Sequence, residues 1–340
     1  MIKQQIERVI AKSDLSFDDA HQVMLKIMTG EVNNSQIAAL LAALKSKGET
    51  AEEVAGFAQA MRDKSIRIRC TDEQVIDVCG TGGDNSGTFN ISTVTSFVVA
   101  GAGVKVAKHG NRSISSKSGS ADVLKVLGAN INLAPKYSEQ ALNEIGITFL
   151  FAPDYHPAMK HVALVRKEFG MKTVFNILGP LTNPAGTKKQ LIGTFSTKTS
   201  EVMANAVKFL GMRKVCFICT NNRYDEISLT DNTEVNEYSE SHGLKKYTIT
   251  NETFGFPKVD DRELIGDRPT QNAKIIIDLL EKKHKNAVYF VTVANAAMAL
   301  YSADYSTDLI QCAAAAEDSI LSGKALEKLG QFISFGKNVL

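Results

Sequence analysis

The sequence carries almost no excess charge. Its 39 lysines and arginines stand against 37 aspartates and glutamates, a formal net charge of +2 over 340 residues, so no bulk electrostatic attraction draws it to nucleic acid. It also lacks any uninterrupted apolar stretch of about 18 residues, the length a membrane-spanning helix needs. Residues 1–13 alternate charged and apolar side chains and contain no continuous apolar segment of the secretory kind. Cysteine is scarce and odd in number: Cys70, Cys79, Cys216, Cys219 and Cys312. Set mostly among apolar neighbours, these five read as reduced thiols, and no disulfide framework is expected. Cys216 and Cys219 spell a CxxC, but residues 215–219 read as a buried strand, in which positions three apart face opposite ways. No second pair or histidine pair completes a zinc set. Internal repeats and low-complexity tracts are missing too. The expectation is a soluble cytoplasmic protein that binds neither nucleic acid nor membrane.

What is present suits an ordinary globular chain: 44% apolar and 22% charged residues, enough to bury a sizeable core. The length favours one large domain plus a smaller one. The first sixty-odd residues read as helices. Ser16 begins one, with Asp18 and Asp19 in its first turn and Gly30 at its end; Asn34 or Ser35 begins another that runs through Ile37, Leu40, Leu41 and Leu44 to Gly48. Thr50 and Glu53 form a capping box for a third, which carries Val54, Phe57 and Met61. From residue 74 the texture changes to short β-rich runs, at 75–79, 104–107, 147–151, 215–219 and 288–291, each followed by a helical pattern. Strands alternating with helices imply an α/β fold: a small helical N-terminal domain (1–70) plus a larger α/β domain (71–340) with a mostly parallel central sheet flanked by helices. Residues 231–267 read as peripheral strands and loops.

In such sheets ligands bind beyond the carboxyl ends of the strands, and the polar, glycine-rich clusters fall there. Gly80-Thr81-Gly82-Gly83-Asp84 follows the first strand and leads through Thr88 and Asn90-Ile91-Ser92-Thr93 into a helix. Three glycines let backbone N–H groups close on a ligand, and the helix start favours negative charge, so this is anion-binding architecture. It is neither a Walker A loop, which needs lysine where Thr88 stands, nor the dinucleotide fingerprint, which needs a third glycine at Asn85. The second cluster, residues 108–120, holds Lys108, His109, Gly110, Asn111, Arg112, Ser113, Ile114, Ser115, Ser116, Lys117 and Ser120. Its cations and hydroxyls suit a loop that folds over phosphates, although its composition alone also fits a solvated loop. Asp225 and Glu226 lie after the fourth run; adjacent carboxylates there can hold Mg²⁺, and isolated acidic pairs are more often surface charge. Arg166, on a helix that follows Tyr155-His156-Pro157, can clamp a carboxylate bidentately or simply pair with a neighbouring acid. Gly179-Pro180 and Asn183-Pro184 mark a rigid turn and a hinge.

The order and spacing of these clusters resemble the anthranilate phosphoribosyltransferases along the whole chain. The family's Gly-Thr-Gly-Gly-Asp matches Gly80 to Asp84, its Asn-x-Ser-Thr matches Asn90 to Thr93, its Lys-His-Gly-Asn-Arg matches Lys108 to Arg112, and its Asp-Glu matches Asp225-Glu226. Residues 166–184 look like its Asn-x-Leu-Gly-Pro-Leu-x-Asn-Pro segment with the preceding arginine, Phe169 replacing the usual leucine. One departure is that Asn221-Asn222-Arg223-Tyr224 precedes the carboxylates where the family has a Gly-Leu step. The resemblance implies a homodimer formed through the helical domain, residues 157–185 joining that domain in space, and a fold shared with pyrimidine nucleoside phosphorylases. It implies phosphoribosyl diphosphate and anthranilate as substrates, with Mg²⁺, two ions per subunit, and no covalent nucleophile. By position, Gly80, Gly83, Asp84, Thr88, Asn90, Ile91, Ser92, Thr93, Lys108 to Ser116 and Ser120 would hold phosphoribosyl diphosphate. Ser92, Asp225 and Glu226 would hold metal; Gly80, His109, Asn111 and Arg166 would meet anthranilate. Two alternatives share the scaffold. A nucleoside phosphorylase would read Lys-His-Ser where this chain has Lys108-His109-Gly110, and a non-enzymatic nucleic-acid-binding relative would be basic and would have lost Ser92, Asp225 and Glu226.

Overall fold

The structure is a computed structural model that describes residues 2–70, 72–84, 86–113 and 118–339. Four helices come first, Lys3–Ile10, Phe17–Met28, Asn34–Lys47 and Ala51–Asp63. Their starts follow local capping chemistry: Ser16 accepts from the Asp19 N–H, Asn33 from that of Gln36, and Thr50 with Glu53 closes a reciprocal box. The sheet then runs β1 (Ile76–Gly80), β2 (Val106–Gly110), β3 (Ile147–Phe151), β4 (Lys189–Gly193), β5 (Lys214–Thr220), β6 (Thr233–Ser239) and β7 (Gly243–Ile249). Its spatial order is β3-β2-β1-β4-β5-β6-β7, with the first five strands parallel and β6 and β7 antiparallel. The chain therefore winds outward from β1 to β3, returns to lay β4 on the other side of β1, and creates a switch point between β1 and β4.

Two expected elements differ. Residues 288–291 belong to a helix, Ala287–Ser302, not to a strand. Asn286 caps it by accepting from the Tyr289 N–H, and its 16 residues are almost wholly apolar and buried; a short apolar run inside it carries no period that separates strand from helix. Strand β4 has no counterpart among the expected runs, because Lys189 and Gln190 open it with two polar side chains. Both are buried and spoken for: Lys189 donates to Gln74 and the Ala303 carbonyl, Gln190 to Asp77 and the Pro180 carbonyl.

Alternation along β4 and β5 divides the core. Leu191, Cys216 and Ile218 face the helices Ile91–Gly101 and Ala287–Ser302, whereas Ile192, Val215 and Phe217 face the N-terminal helices and residues 162–181. All five cysteines are free, and Cys216 and Cys219 are fully buried in β5. Arg62, at the end of the fourth helix, fastens the helical layer to the rest. Its guanidinium donates to the carbonyls of Leu181 (2.6 Å) and Leu210 (3.1 Å), and burial lowers its pKa to about 10.

Glu53 does more than cap. Fully buried, it accepts from the Leu15 and Thr50 N–H groups and pairs with the Lys47 ammonium at 3.0 Å. Glu53→Ala is expected to destabilise the protein by about 3 kcal/mol, since it leaves the Leu15 and Thr50 N–H groups without their acceptor and the buried Lys47 with Asp14 as its sole carboxylate partner, against about 1 kcal/mol for Thr50→Ala. Urea unfolding of the two variants checks this; equal losses would reduce Glu53 to its cap.

Candidate active site

The site lies at the switch point. Gly80 ends β1 and is in register with Gly193, which ends β4. Both must be glycine. A Cβ on Gly80 would stand 2.7 Å from Asp225 Oδ2, and one on Gly193 would fall onto the Asp225 carbonyl. Beyond Gly80 the chain turns through Gly82 and Gly83, whose φ values of +63° and +73° only glycine adopts freely. The turn aims the Gly82 N–H at Asp225 Oδ2, at 2.8 Å. The helix Ile91–Gly101 starts next, behind Asn90.

Asp225 and Glu226 leave β5 through a turn that the family's glycine step does not supply here. Asn221 and Asn222 take φ of +52° and +48° instead, a conformation asparagine tolerates. Thr220 and Tyr224 close the turn with reciprocal backbone bonds of 3.0 and 2.9 Å. The Thr220 hydroxyl holds the Glu226 carbonyl at 2.7 Å. Both carboxylates are thereby half-buried beside Asp84, an arrangement that crowds like charge. Burial first, then Asp84, raises Asp225 to about 7; burial, then Asp225, raises Glu226 well above its ordinary range, with Lys108 opposing. Asp84 Oδ1 accepts from the Ser86 N–H, and its Oδ2 is buried without a partner. Three carboxylates with an unspent acceptor and a hydroxyl, Ser92, nearby fit a divalent cation. Among the described residues no three His, Cys, Asp or Glu side chains form a ready cage.

The remaining expected residues divide by accessibility. Lys108 is buried and donates to the Val78 carbonyl (2.6 Å) and to Ser92 Oγ (3.1 Å), under the phosphate loop. Ile91 is buried, its N–H donating to the Phe89 carbonyl at 2.7 Å, and Thr93 is buried with its hydroxyl unpartnered. Asn111 and Arg112 are exposed, with Arg112 over the Phe151 ring. The Asp122 carboxylate gathers the N–H groups of Ser113 and Gly119, and Ser120 donates to the Asn111 carbonyl. Ile114, Ser115, Ser116 and Lys117 lie outside the described residues. Thr88 and Asn90 are held by a peripheral segment whose part in the site the sequence did not announce. Thr88 bridges Ile265, the Phe89 N–H donates to Leu264, the Gly266 N–H donates to Gly87, and Asn272 donates to Asn90 Oδ1 at 2.8 Å. Asn90 also exchanges bonds with Ser118, joining the two loops.

His109 and His156 form a buried pair, ring centroids 5.2 Å apart, each with an unpartnered Nε2. Burial pushes His109 down to about 3, with His156 adding to it, and pushes His156 down to about 4, so both are neutral at pH 7. His156 is more than a residue before a helix start; only the fold reveals its neighbour. Arg166, on the helix Lys160–Phe169, lies over the Phe175 ring and has no carboxylate partner among the described residues. No described hydrogen bond joins it to Gly80, His109 or Asn111. Lys172 reaches the Gly83 carbonyl at 2.5 Å, adding to the phosphate loop a cation that none of the sequence motifs marks.

Residues 72–326 match the glycosyl transferase family, a/b domain, and residues 3–65 match that family's helical bundle domain. The chain is 45% identical to the anthranilate phosphoribosyltransferase of Desulfosudis oleivorans over 99% of both sequences. It is 44% identical to that of Syntrophobacter fumaroxidans, over 98% of this chain and 99% of the relative. Among solved structures it resembles the Thermus thermophilus anthranilate phosphoribosyltransferase at 37% identity, with a TM-score of 0.90, covering 98% of this chain and 99% of that one. The Saccharomyces cerevisiae enzyme, solved with PRPP and Mg, matches at 26% identity with a TM-score of 0.90, covering 99% and 98%.

The histidine pair has a measurable consequence. A folded-state pKa of about 4 against 6.5 for the free group means the unfolded chain takes up the proton first on acidification. The contribution to stability is complete above pH 6.5 and is lost as the pH falls towards 4, at about 1.4 kcal/mol per pH unit. His156→Gln removes that slope. Urea midpoints at pH 7, 6 and 5 should therefore fall less steeply for the variant; parallel slopes would mean His156 titrates normally.

Proposed function

Because the chain belongs to the anthranilate phosphoribosyltransferases, we infer that it transfers the phosphoribosyl group of 5-phosphoribosyl 1-diphosphate to anthranilate. The products are N-(5-phosphoribosyl)anthranilate and pyrophosphate, a step of tryptophan biosynthesis. One observation supports the reading on these residues: Asp84, Asp225 and Glu226 crowd beyond the ends of β1 and β5, where burial and their mutual repulsion raise Asp225 and Glu226 above the ordinary carboxylate range, a setting in which a divalent cation would replace the proton, beside a glycine-rich loop.

Phosphoribosyl diphosphate binds across the loop Gly80, Gly83, Asp84, Thr88 and the helix start Asn90 to Thr93, where backbone N–H groups and the positive end of the helix favour its phosphates. Lys108 supports Ser92 from beneath, and Asn111, Arg112, Ser113 and Ser120 close from the second loop, with Ile114, Ser115 and Ser116 in the same stretch. Mg²⁺, two ions per subunit, supplies neutralisation of the departing pyrophosphate when held near Ser92, Asp225 and Glu226. The C1–O bond breaks as the anthranilate nitrogen forms the C1–N bond, and the sugar passes through an oxocarbenium-like state that needs orientation more than a base. The arylamine is already neutral, so no strong base is needed to make it attack; it displaces pyrophosphate at C1 directly, with no covalent nucleophile on the enzyme, and the proton its nitrogen sheds leaves with the pyrophosphate or to water. Arg166, free of any described carboxylate partner, is the counter-charge for the anthranilate carboxylate. Gly80, Asn111 and the neutral His109 complete that side, where an uncharged imidazole does not compete with the arginine for the acid. Closure about residues 179–184 excludes water from the reacting sugar.

Loss of anthranilate fluorescence in the presence of phosphoribosyl diphosphate and Mg²⁺ tests the activity, and absence of turnover by folded protein would overturn it. Arg166→Ala should raise the anthranilate KM by about 30-fold or more, the worth of a charged hydrogen bond of about 2 kcal/mol, and leave that of phosphoribosyl diphosphate nearly unchanged. Equal effects on both would remove the assignment.

The same reading makes the protein a homodimer through its helical domain. Ile10 and Leu164 are 61% and 52% exposed, on the helices Lys3–Ile10 and Lys160–Phe169, both of which pack against Asn34–Lys47. Leu164→Glu should shift the mass measured by light scattering from twice the chain mass towards 36.9 kDa. A wild-type protein of chain mass at micromolar concentration would exclude the dimer.

A further inference from the structure

Helix Ala287–Ser302 contains four buried side chains with polar groups: Tyr289, Thr292, Asn295 and Ser302. Thr292 and Ser302 satisfy themselves within the helix, donating to the carbonyls of Val288 and Met298. Tyr289 donates to Glu317 on the neighbouring helix Leu309–Leu321. Asn295 behaves differently. One of its amide hydrogens goes to Val291 of its own helix, but the other goes to the Ile227 carbonyl at 2.8 Å, and its Oδ1 accepts from the Ile227 N–H at 3.1 Å. The side-chain amide thus pairs with both backbone groups of one residue, 68 positions away, as a neighbouring strand would. Ile227 belongs to no strand or helix and immediately follows Asp225-Glu226.

We propose that Asn295 is a positioning residue for the Asp225-Glu226 pair, acting through the Ile227 backbone. The pair sits in a stretch that sheet hydrogen bonding has already left, since β5 ends at Thr220. Four contacts set its path: Thr220 holds the Glu226 carbonyl, the Gly82 N–H holds Asp225 Oδ2, Gly193 leaves room for the Asp225 carbonyl, and Asn295 holds the residue after them. The last comes from the rigid core, on a helix otherwise suited to apolar packing. A buried amide is costly there unless its bonds are made, and an alanine would serve packing alone. A group that orients ligands without touching the ion typically governs metal affinity by about 10- to 100-fold. The inference rests on the assignment of Asp225 and Glu226 to the metal.

The test uses the full chain and Mn²⁺ as probe, with the free ion followed by electron paramagnetic resonance in the presence of inorganic pyrophosphate. Asn295→Ala, and the isosteric Asn295→Asp, which keeps the acceptor for the Ile227 N–H but loses both donors, should weaken Mn²⁺ binding by about 10-fold or more. The half-saturating Mg²⁺ for turnover should rise in parallel, with the anthranilate KM unmoved. Ser302→Ala, a buried polar deletion on the same helix, should lower the melting temperature without moving Mn²⁺ affinity. Folded Asn295 variants that bind Mn²⁺ as tightly as wild type would overturn the proposal, as would an equal loss in Ser302→Ala. Asp225→Asn binding Mn²⁺ as tightly as wild type would instead overturn the carboxylate assignment beneath it.

Discussion

The architecture turns on the contact between Asp225 and the ends of two adjacent strands. With the Asp225 carbonyl lying where any side chain on Gly193 would stand, and its carboxylate close against Gly80, the loop after β5 can descend into the crevice between β1 and β4. Depth is what gives the site its chemistry. At the surface these carboxylates would be hydrated and their mutual repulsion screened; drawn into the crevice beside Asp84, both are raised above the ordinary carboxylate range by burial and by each other. The Gly82 N–H on one side and the Thr220 hydroxyl on the other hold the loop at that depth.

The second constraint is neutrality a short distance away. His109 follows Lys108 on β2, and its backbone N–H is held by the buried carboxylate of Asp77 at 3.0 Å. The His156 ring, brought in from the chain entering the helical layer, rests against it. Burial keeps both imidazoles uncharged, His109 pushed down to about 3 and His156 to about 4.

Much of this was legible in the sequence. The helix caps at Ser16 and Thr50 are local and appear as read; the strands read at 75–79, 147–151 and 215–219 lie within a residue of β1, β3 and β5, whereas the one read at 104–107 lies at Val106–Gly110, because the polar Lys108 and His109 continue it. The glycine turn after β1 was legible because Gly82 and Gly83 have a local conformational reason, their positive φ. Strand β4 was hidden because Lys189 and Gln190 look solvent-facing until partners from Gln74, Asp77 and Ala303 are supplied by distant segments. Residues 288–291 misled for the opposite cause: a helix buried on all sides has no polar face, so its period is silent.

Residue types, local spacing and capping were enough to determine the fold class, the position of the glycine-rich loop after the first strand, and the order of the charged clusters along the chain. These depend on interactions within a few residues, which a linear reading contains. The need for glycine at Gly193, the pairing of His109 with His156, the latch from Gly266 and Asn272 onto the phosphate loop and the hold of Asn295 on Ile227 were decided only by tertiary structure. Each joins segments tens to hundreds of residues apart, and what each residue must be is set by the shape and polarity of a neighbour the linear order does not name.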